Sequence, residues 1–259
     1  PNGDISEVSL GPLVLDRVAP KADVKVGGAI FSPNDDGIND TLSIEQTSVP
    51  SDDWRGAILD STGREVRSWT WEGAVQSFAW DGRDSVGNVA VDGTYRYRLE
   101  SKDAAGNAFM YTSSFFEIET EKKAVRLTMS ERAFSPNGDG VKDVEVFTAA
   151  VVSPEKVKEY VLQVVAQDGP AALSAVRTWK GEIPGTTYEW RGETDAQIPA
   201  PDGHYAASLK VVYRNGDEAE SATGTFILDR QFPKIDVKVQ GNIFSPDGDG
   251  RSDTITIAQ

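Results

Sequence analysis

The chain has 259 residues with 24 Gly, 13 Pro and no Cys, and 39% of its residues are hydrophobic, a balance typical of a folded, turn-rich protein. Its formal net charge of −15 excludes nucleic acid or an anionic membrane surface as a natural partner, because phosphates need a basic face. The absence of Cys excludes disulfides, thiolate metal sites and cysteine nucleophiles. No run of about 18 apolar residues is present for direct membrane insertion, and the start at Pro1 without a signal-like segment leads us to expect an excerpt of a longer protein.

Alternating apolar and polar residues predict β-strands along the chain, and no segment has a convincing helical period. In the segment 93–101, for example, Tyr95, Tyr97 and Leu99 fall on one face of a strand, while the charged residues between them fall on the other. The predicted strands, in chain order, are 22–26, 55–60, 64–71, 93–101, 108–118, 125–129, 205–211 and 235–239.

An acidic loop that begins with Phe-Ser-Pro occurs three times, at 31–44, 134–147 and 244–257, which we name the first, second and third acidic loops. The copies lie roughly 100 residues apart, which is too long for a solenoid unit and suits an immunoglobulin-like sandwich. Each repeat is therefore expected to be a domain.

Two further signatures have the same period. Trp80 precedes Tyr95 by the same distance as Trp190 precedes Tyr205, and the segments 15–26, 118–129 and 228–239 are related to one another. The second repeat is the longer one, and the extra residues are predicted to form an enlarged loop within 148–175. One strand orientation stays open, because Glu145 stands where the other copies have Leu42 and Ile255.

These signatures predict an all-β chain of tandem immunoglobulin-like (fibronectin III-like) β-sandwiches. We expect 1–15 to be the end of a preceding repeat, 16–119 the first repeat, 120–229 the second, and 230–259 the opening strands of a further repeat. Because isolated strands need a partner sheet, the opening strands are expected to pack on the second sandwich or to be completed by a neighbouring molecule.

The run at 80–107, with its Trp-Asp-Gly turn followed by Asp-Gly-Thr-Tyr, resembles the immunoglobulin-like domain of the flagellar hook-capping protein family. The FSPNGDG loop at 134–140 resembles those of large bacterial surface or periplasmic repeat proteins. The resemblance implies an extracytoplasmic location, in the periplasm or at the cell surface. The second copy departs from the pattern at Arg191 and His204, which indicates a structural turn rather than a catalytic one.

Each acidic loop carries oxygen-bearing side chains at alternating positions, followed by a Gly that permits a sharp turn. The first half of an EF-hand-type calcium loop has this arrangement, and calcium prefers oxygen ligands. No copy has the Glu that completes such a loop, so the missing ligands would have to come from the junction acids Asp16, Glu119 and Asp229. The candidate metal ligands are Asn34, Asp36, Asp40, Asn137, Asp139, Asp143, Asp247, Asp249 and Asp253.

A second interpretation of the acidic loops needs no metal. Asn and Asp side chains accept hydrogen bonds from backbone amides in Asx-turns, and Gly supplies positive φ. In this interpretation Phe31, Phe134 and Phe244 fill the core below each loop. Both interpretations stay open at the level of sequence, so Ca²⁺ is a candidate ligand and no other cofactor is expected.

Catalysis is not expected, because the one His, His204, aligns with a turn residue and no nucleophile and base stand out. The tryptophans leave two alternatives. Trp54, Trp69 and Trp71 could form a flat sugar-binding platform, whereas Trp80 and Trp190 recur as a matched pair and are expected in the core.

The sequence favours a non-catalytic structural or adhesive spacer of a larger bacterial surface or periplasmic protein. In this hypothesis calcium stiffens the domain junctions and the partners are the neighbouring repeats. The alternative is a binding module for carbohydrate or for a flagellar or cell-envelope protein.

Overall fold

A computed structural model describes residues 11, 13–170, 172–232, 234–240, 243–251 and 253–258. Within these ranges strands dominate, and a 3-10 turn is formed at Pro154–Lys156. The predicted all-β fold of immunoglobulin-like sandwiches is confirmed. Most of the segment 1–15, predicted to end a preceding repeat, lies outside the described residues. Within the described ranges, no helix is long and apolar enough to span a membrane.

The first sandwich consists of a three-stranded and a six-stranded sheet. The smaller sheet has the order β1-β3-β6, formed by β1 (Ala22–Val26), β3 (Leu42–Ser48) and β6 (Phe78–Trp80). The larger sheet has the order β2-β9-β7-β4-β5, and β8 also pairs with β7. Its strands are β2 (Ile30–Phe31), β4 (Ser51–Asp60), β5 (Glu65–Gly73), β7 (Gly93–Lys102), β8 (Ala108–Thr112) and β9 (Phe116–Ile118). The pairing of β2 with β9 is parallel, and the other pairings are antiparallel.

The second sandwich repeats this topology strand for strand. Its smaller sheet is formed by β10 (Val125–Met129), β12 (Glu145–Val151) and β15 (Thr187–Trp190), and its larger sheet by β11 (Ala133–Phe134), β13 (Val157–Ala166), β14 (Ala175–Gly181), β16 (Gly203–Tyr213), β17 (Glu218–Ala222) and β18 (Phe226–Leu228). The extra residues of this repeat are divided between two places. The 3-10 turn links β12 to β13, and the hairpin loop 167–174 replaces the shorter loop 61–64 of the first sandwich.

Aromatic side chains fill the space between the two sheets of each sandwich. Phe31 and Phe134 are both 2% exposed, and their rings lie 5.6 and 5.3 Å from those of Trp80 and Trp190. The predicted core role of these residues is confirmed for the first and second acidic loops.

Glu145 settles the open question of strand orientation. It pairs with Trp190 in the same register as Leu42 pairs with Trp80, so the strand after the loop faces the same way in both repeats. Its carboxylate is completely buried, and Oε1 accepts hydrogen bonds from Ser130 N (2.8 Å), Ser130 Oγ (2.9 Å) and Glu131 N (3.1 Å). Oε2 has no partner among the described residues. Burial therefore raises the pKa of Glu145 despite these hydrogen bonds.

The opening strands of the third repeat do not pack on the second sandwich. Among the described residues of 234–258, β19 (Lys238–Gln240) and β20 (Thr256–Ala258) pair with each other and are fully exposed. Phe244 is 48% exposed, unlike Phe31 and Phe134. The expected packing on the second sandwich is thus wrong, because the hairpin reaches no partner sheet there, while completion by a neighbouring molecule stays a prediction.

We predict that Glu145→Gln stabilises the second sandwich at pH 7 by about 1 kcal/mol, since a buried carboxylate with an unpartnered oxygen is costly to ionise. Because the folded pKa is raised above the ordinary value of 4.5, the contribution of Glu145 to stability is fully present below about pH 4.5. It falls as the pH rises through the folded pKa. Thermal unfolding from pH 4 to pH 8 measures this loss, which the variant should not show. Glu189→Gln, on the neighbouring strand with a 61% exposed side chain, is the control; equal pH profiles for the parent and Glu145→Gln would contradict the prediction.

Candidate functional site: the acidic loops and the repeat junction

The first and second acidic loops each carry the chain from one sheet of a sandwich to the other. In the first repeat the loop leaves β2 in the larger sheet and enters β3 in the smaller one. The backbone closes the loop through a hydrogen bond from Ser32 N to Asn39 O (3.0 Å), which is repeated from Ser135 N to Lys142 O (2.8 Å). The loop therefore spans the end of the sandwich.

The last Asp of each loop caps two backbone amides. Asp40 Oδ1 accepts from Asp35 N (2.9 Å), and Oδ2 accepts from Gly37 N (2.7 Å). Asp143 and Asp253 repeat both bonds in the second and third loops, at 2.8 to 3.0 Å. The amides of Gly138 and Gly140 hold the pKa of Asp143 below its ordinary value, because they stabilise the charged form.

The two earlier candidate ligands of each loop form Asx-turns. Asn34 Oδ1 accepts from Asp36 N (3.0 Å), and Asp36 Oδ1 accepts from Ile38 N (2.8 Å). The amide Nδ2 of Asn34 donates to Asp36 Oδ2 (3.0 Å). Asn137 and Asp139 make the same contacts. The hydrogen bonds that the turn interpretation requires are therefore present in both loops.

The third acidic loop differs at one candidate ligand. Asp247 stands where the other loops have Asn, and oxygen atoms of Asp247, Asp249 and Asp253 lie within 4.8 Å of one another. Three carboxylates at this spacing form a harder and more negative oxygen set than two carboxylates and an amide. The three candidate ligands are thus brought together in the third loop, which also has the composition that best fits a divalent cation. In the first and second loops the contacts join only the first two candidates, Asn34 to Asp36 and Asn137 to Asp139.

Each of the three junction acids has partners of its own in the structure. Glu119 is buried, and its Oε1 pairs with the buried Lys123 and with Lys156 Nζ (2.9 Å). Asp16 Oδ1 and Asp229 Oδ1 accept hydrogen bonds from Val18 N and Gln231 N, respectively, in their own turns. Glu119 Oε1 is therefore engaged by two lysines, whereas Oε2 has no partner among the described residues, and the part of Glu119 in a calcium site stays a prediction.

The repeat junction, residues 119–124, is held by both sandwiches. Lys156 of the second sandwich pairs with Glu119 and with Glu117 Oε1 of β9 (2.9 Å), and these carboxylates raise the pKa of Lys156. The turn between β16 and β17 adds Asn215, which is fully buried and donates from Nδ2 to Glu119 O (3.3 Å). Comparison of the repeats in the sequence could not predict this contact, because its partners belong to different repeats.

A second clamp fixes the chain where it leaves each sandwich. The carboxylate of Asp92 accepts from the backbone N (3.0 Å) and Oγ1 (2.7 Å) of Thr120. In the second repeat Asp202 accepts from Arg230 Nη1 (2.9 Å), and that guanidinium also donates to Gly192 O and Ala200 O. Both acids precede a Gly at the same place before Tyr95 and Tyr205, and this repeat in the sequence could have identified them as functional positions.

The sugar-binding platform is wrong. Trp54 is completely buried, with its ring 5.4 Å from that of Phe109. Trp69 and Trp71 are half-buried and lie 4.4 and 5.9 Å from the ring of Phe78. Period-two alternation places all three on the inner face of the sheet, so they form no flat exposed surface.

His204 has a structural environment. Its Nδ1 lies 2.6 Å from Asp168 Oδ2, and the pair lowers the pKa of Asp168. Both side chains are about half exposed, at the hairpin loop of the second sandwich. His204 itself lies in β16, and not in a turn as the sequence indicates, and its contact with Asp168 links this strand to the hairpin loop.

Residues 25–116, most of the first sandwich, match the model of the CHU_C type IX secretion signal domain family. The protein is extracytoplasmic, either secreted or held at the cell surface. No curated protein matches the chain. The resemblance to the flagellar hook-capping family stays a prediction.

Several solved structures are similar to this chain. A tetra-tandem repeat from the extending region of a large adhesion protein is 19% identical, covering 87% of this chain and 53% of its own, with a TM-score of 0.35. A 1.5-MDa bacterial ice-binding adhesin is 11% identical (87% and 70% covered, TM-score 0.40), and the fibronectin(III)-like modules of Clostridium thermocellum CbhA are 12% identical (83% and 98%, TM-score 0.39). The chain spans about half the length of the first of these structures.

Proposed function

We propose that the chain is a non-catalytic structural or adhesive spacer of a larger extracytoplasmic protein. Residues 16–119 and 120–229 are its two complete repeats, 1–15 ends a preceding repeat, and 230–259 opens a further one. The observation that carries the proposal is the repeat junction, in which Glu119 of one sandwich is buried against Lys156 of the next. The neighbouring repeats are thus each other's first partners.

Burial of the junction ions limits bending between the repeats. Glu119 and Lys123 have side chains 4% and 0% exposed, and separating the sandwiches would remove Lys156 and Asn215 from the same carboxylate and its backbone. Breaking a buried ion pair by removing one partner costs about 3–5 kcal/mol. The relative orientation of the repeats is therefore expected to be well defined.

Two observations weigh against the alternatives. The only His of the chain pairs with Asp168 beside a hairpin loop, which supports a non-catalytic role. The three tryptophans proposed for sugar binding lie inside the first sandwich, so the carbohydrate-binding alternative loses its main support. A protein or glycan partner at another surface stays unidentified.

We expect Glu119→Gln to loosen the junction, because it removes the charge that pairs with Lys123 and Lys156. Small-angle scattering of the full chain should change from a narrow to a broad set of shapes, while circular dichroism shows both sandwiches folded. Glu121→Gln is the matched control, since Glu121 lies in the same segment with a 62% exposed side chain. A parent chain that already scatters as flexibly linked beads would contradict the spacer proposal.

Calcium binding is proposed first for the third acidic loop, with a Kd of about 10⁻⁴–10⁻³ M, as in extracellular calcium modules. Titration calorimetry on the full chain should show binding that Asp247→Asn removes, because this change gives the third loop the ligand set of the second. Asn137→Asp makes the reverse change and should add a site. Absence of heat in the parent and in Asn137→Asp would count against calcium stiffening.

The family match supports a second role for the first sandwich, as a secretion signal. A periplasmic reporter fused to residues 16–119 should be exported by a bacterium that has type IX secretion, and the same reporter fused to 120–229 is the fold-matched comparison. Retention of both fusions would show that the matched sandwich acts only as a structural unit. Export of both would show that the fold alone suffices.

A further inference from the structure

We propose that the acidic loop of one repeat is the docking surface for a glycine turn of the following repeat. The turn is residues 213–217, between β16 and β17, and the docking surface is the tip of the first acidic loop, Ile38 and Asn39. The proposal rests on the spacer function and names the surface through which successive repeats hold each other. It gives the loop a role beyond reversing the chain.

Two contacts join the loop tip to the turn. Asn39 Nδ2 donates a hydrogen bond to Asn215 O (2.9 Å), across the boundary between the sandwiches. Gly216 lies so close to the loop that an added Cβ would be 2.8 Å from Ile38 Cγ2 and 3.1 Å from Asn39 Nδ2. Gly216 also has φ +99°, so both its conformation and its contact favour glycine.

The turn is held rigidly on its own side. Tyr213 N donates to Asp217 O (2.8 Å), and Gly216 N donates to Tyr213 O (3.1 Å). The buried side chain of Asn215 donates from Nδ2 to Asp217 Oδ2 within the turn (2.9 Å). The same Nδ2 donates to Glu119 O of the junction (3.3 Å). The turn therefore meets the loop as a fixed shape, next to the ion pairs of the junction.

The loop tip is shaped in the same way in the next repeat. Asn39 and Lys142 both have φ 54°, and each uses its carbonyl to close its own loop. The residue before each is apolar, Ile38 or Val141, and Val141 is 65% exposed. In the first loop the apolar Ile38 lies against Gly216, and Val141 offers an apolar side chain at the equivalent place. The second acidic loop is thus shaped to receive the same kind of turn.

The first repeat also contains a glycine turn between its strands β7 and β8. This equivalent turn is 103–107, in which Gly106 has φ +90°, Asp103 N donates to Asn107 O (3.1 Å) and Gly106 N donates to Asp103 O (3.0 Å), as in the turn 213–217. Asn107 Nδ2 also donates to Asp16 O (3.4 Å), although Asn107 matches Asp217 in the repeat and not Asn215. A Cβ at Gly106 would meet only Lys102 Cε, at 3.7 Å, among the described residues. The turn is therefore built alike in both repeats and differs in whether an acidic loop lies against it.

This difference supplies a matched pair of variants. Gly216→Ala and Gly106→Ala place a methyl group at similar positive φ, so both strain their turns, but only Gly216→Ala drives the methyl group into Ile38 and Asn39. The chain has no Cys, so Ser61→Cys and Ser174→Cys, in exposed hairpin loops of the two sandwiches, attach spin labels specifically. The distance distribution between the labels reports the relative orientation of the sandwiches.

The labelled parent and Gly106→Ala should give one narrow distribution, and Gly216→Ala a broader or shifted one. Ile38→Ala combined with Gly216→Ala removes the closest clashing atom and should narrow the distribution again. A narrow, unshifted distribution in Gly216→Ala would overturn the docking proposal and leave the spacer function standing. A broad distribution in the parent would overturn both.

Discussion

The structure depends on one crossing of the chain from sheet to sheet, at Phe31 in the first repeat and Phe134 in the second. Each Phe lies in a two-residue strand that pairs in parallel with the last strand of its sandwich. Its carbonyl accepts a hydrogen bond from the junction acid, from Glu119 N or Asp229 N (both 3.1 Å). The acidic loop that follows the Phe and the junction that follows the last strand therefore start side by side. This neighbourhood makes a chain-reversing loop available as a contact for the next repeat.

The charges near this crossing are balanced in two different ways. In the loops, carboxylates such as Asp40 are compensated by backbone amides, each of their two oxygens accepting one hydrogen bond. At the junction, Glu119 is buried, and its Oε1 is compensated by two lysines. The loops therefore rely on backbone dipoles, whereas the junction relies on full charges.

Features that recur in both repeats, or that follow from alternating apolar and polar residues, could be predicted from the sequence. The two sandwiches, the buried Trp80 and Trp190 and the position of the loops follow from period and spacing alone. The burial of Glu145 could not be predicted, because its compensation comes from backbone amides at 130 and 131, which a residue pattern does not display. Nor could the Asn39 to Asn215 contact, since it joins unlike elements of two repeats, 176 positions apart. The prediction of a tryptophan platform is wrong because it rested on residue type and did not consider which face of the sheet each tryptophan occupies.

The junctions of the array are not equivalent, although the repeats are. Lys123 aligns with Pro20 before the first sandwich and with Pro233 after the second, so the buried ammonium group is particular to the junction between the two. Pro20 is buried and restricts φ, which limits bending through the backbone instead of through an ion pair. A proline joint is insensitive to salt, whereas the solvent-accessible part of the Lys156 pairs is screened by it. The joint at 119–124 is therefore expected to respond to ionic strength, as is the Asp202–Arg230 pair at the end of the second sandwich, whereas the restriction by Pro20 does not depend on salt.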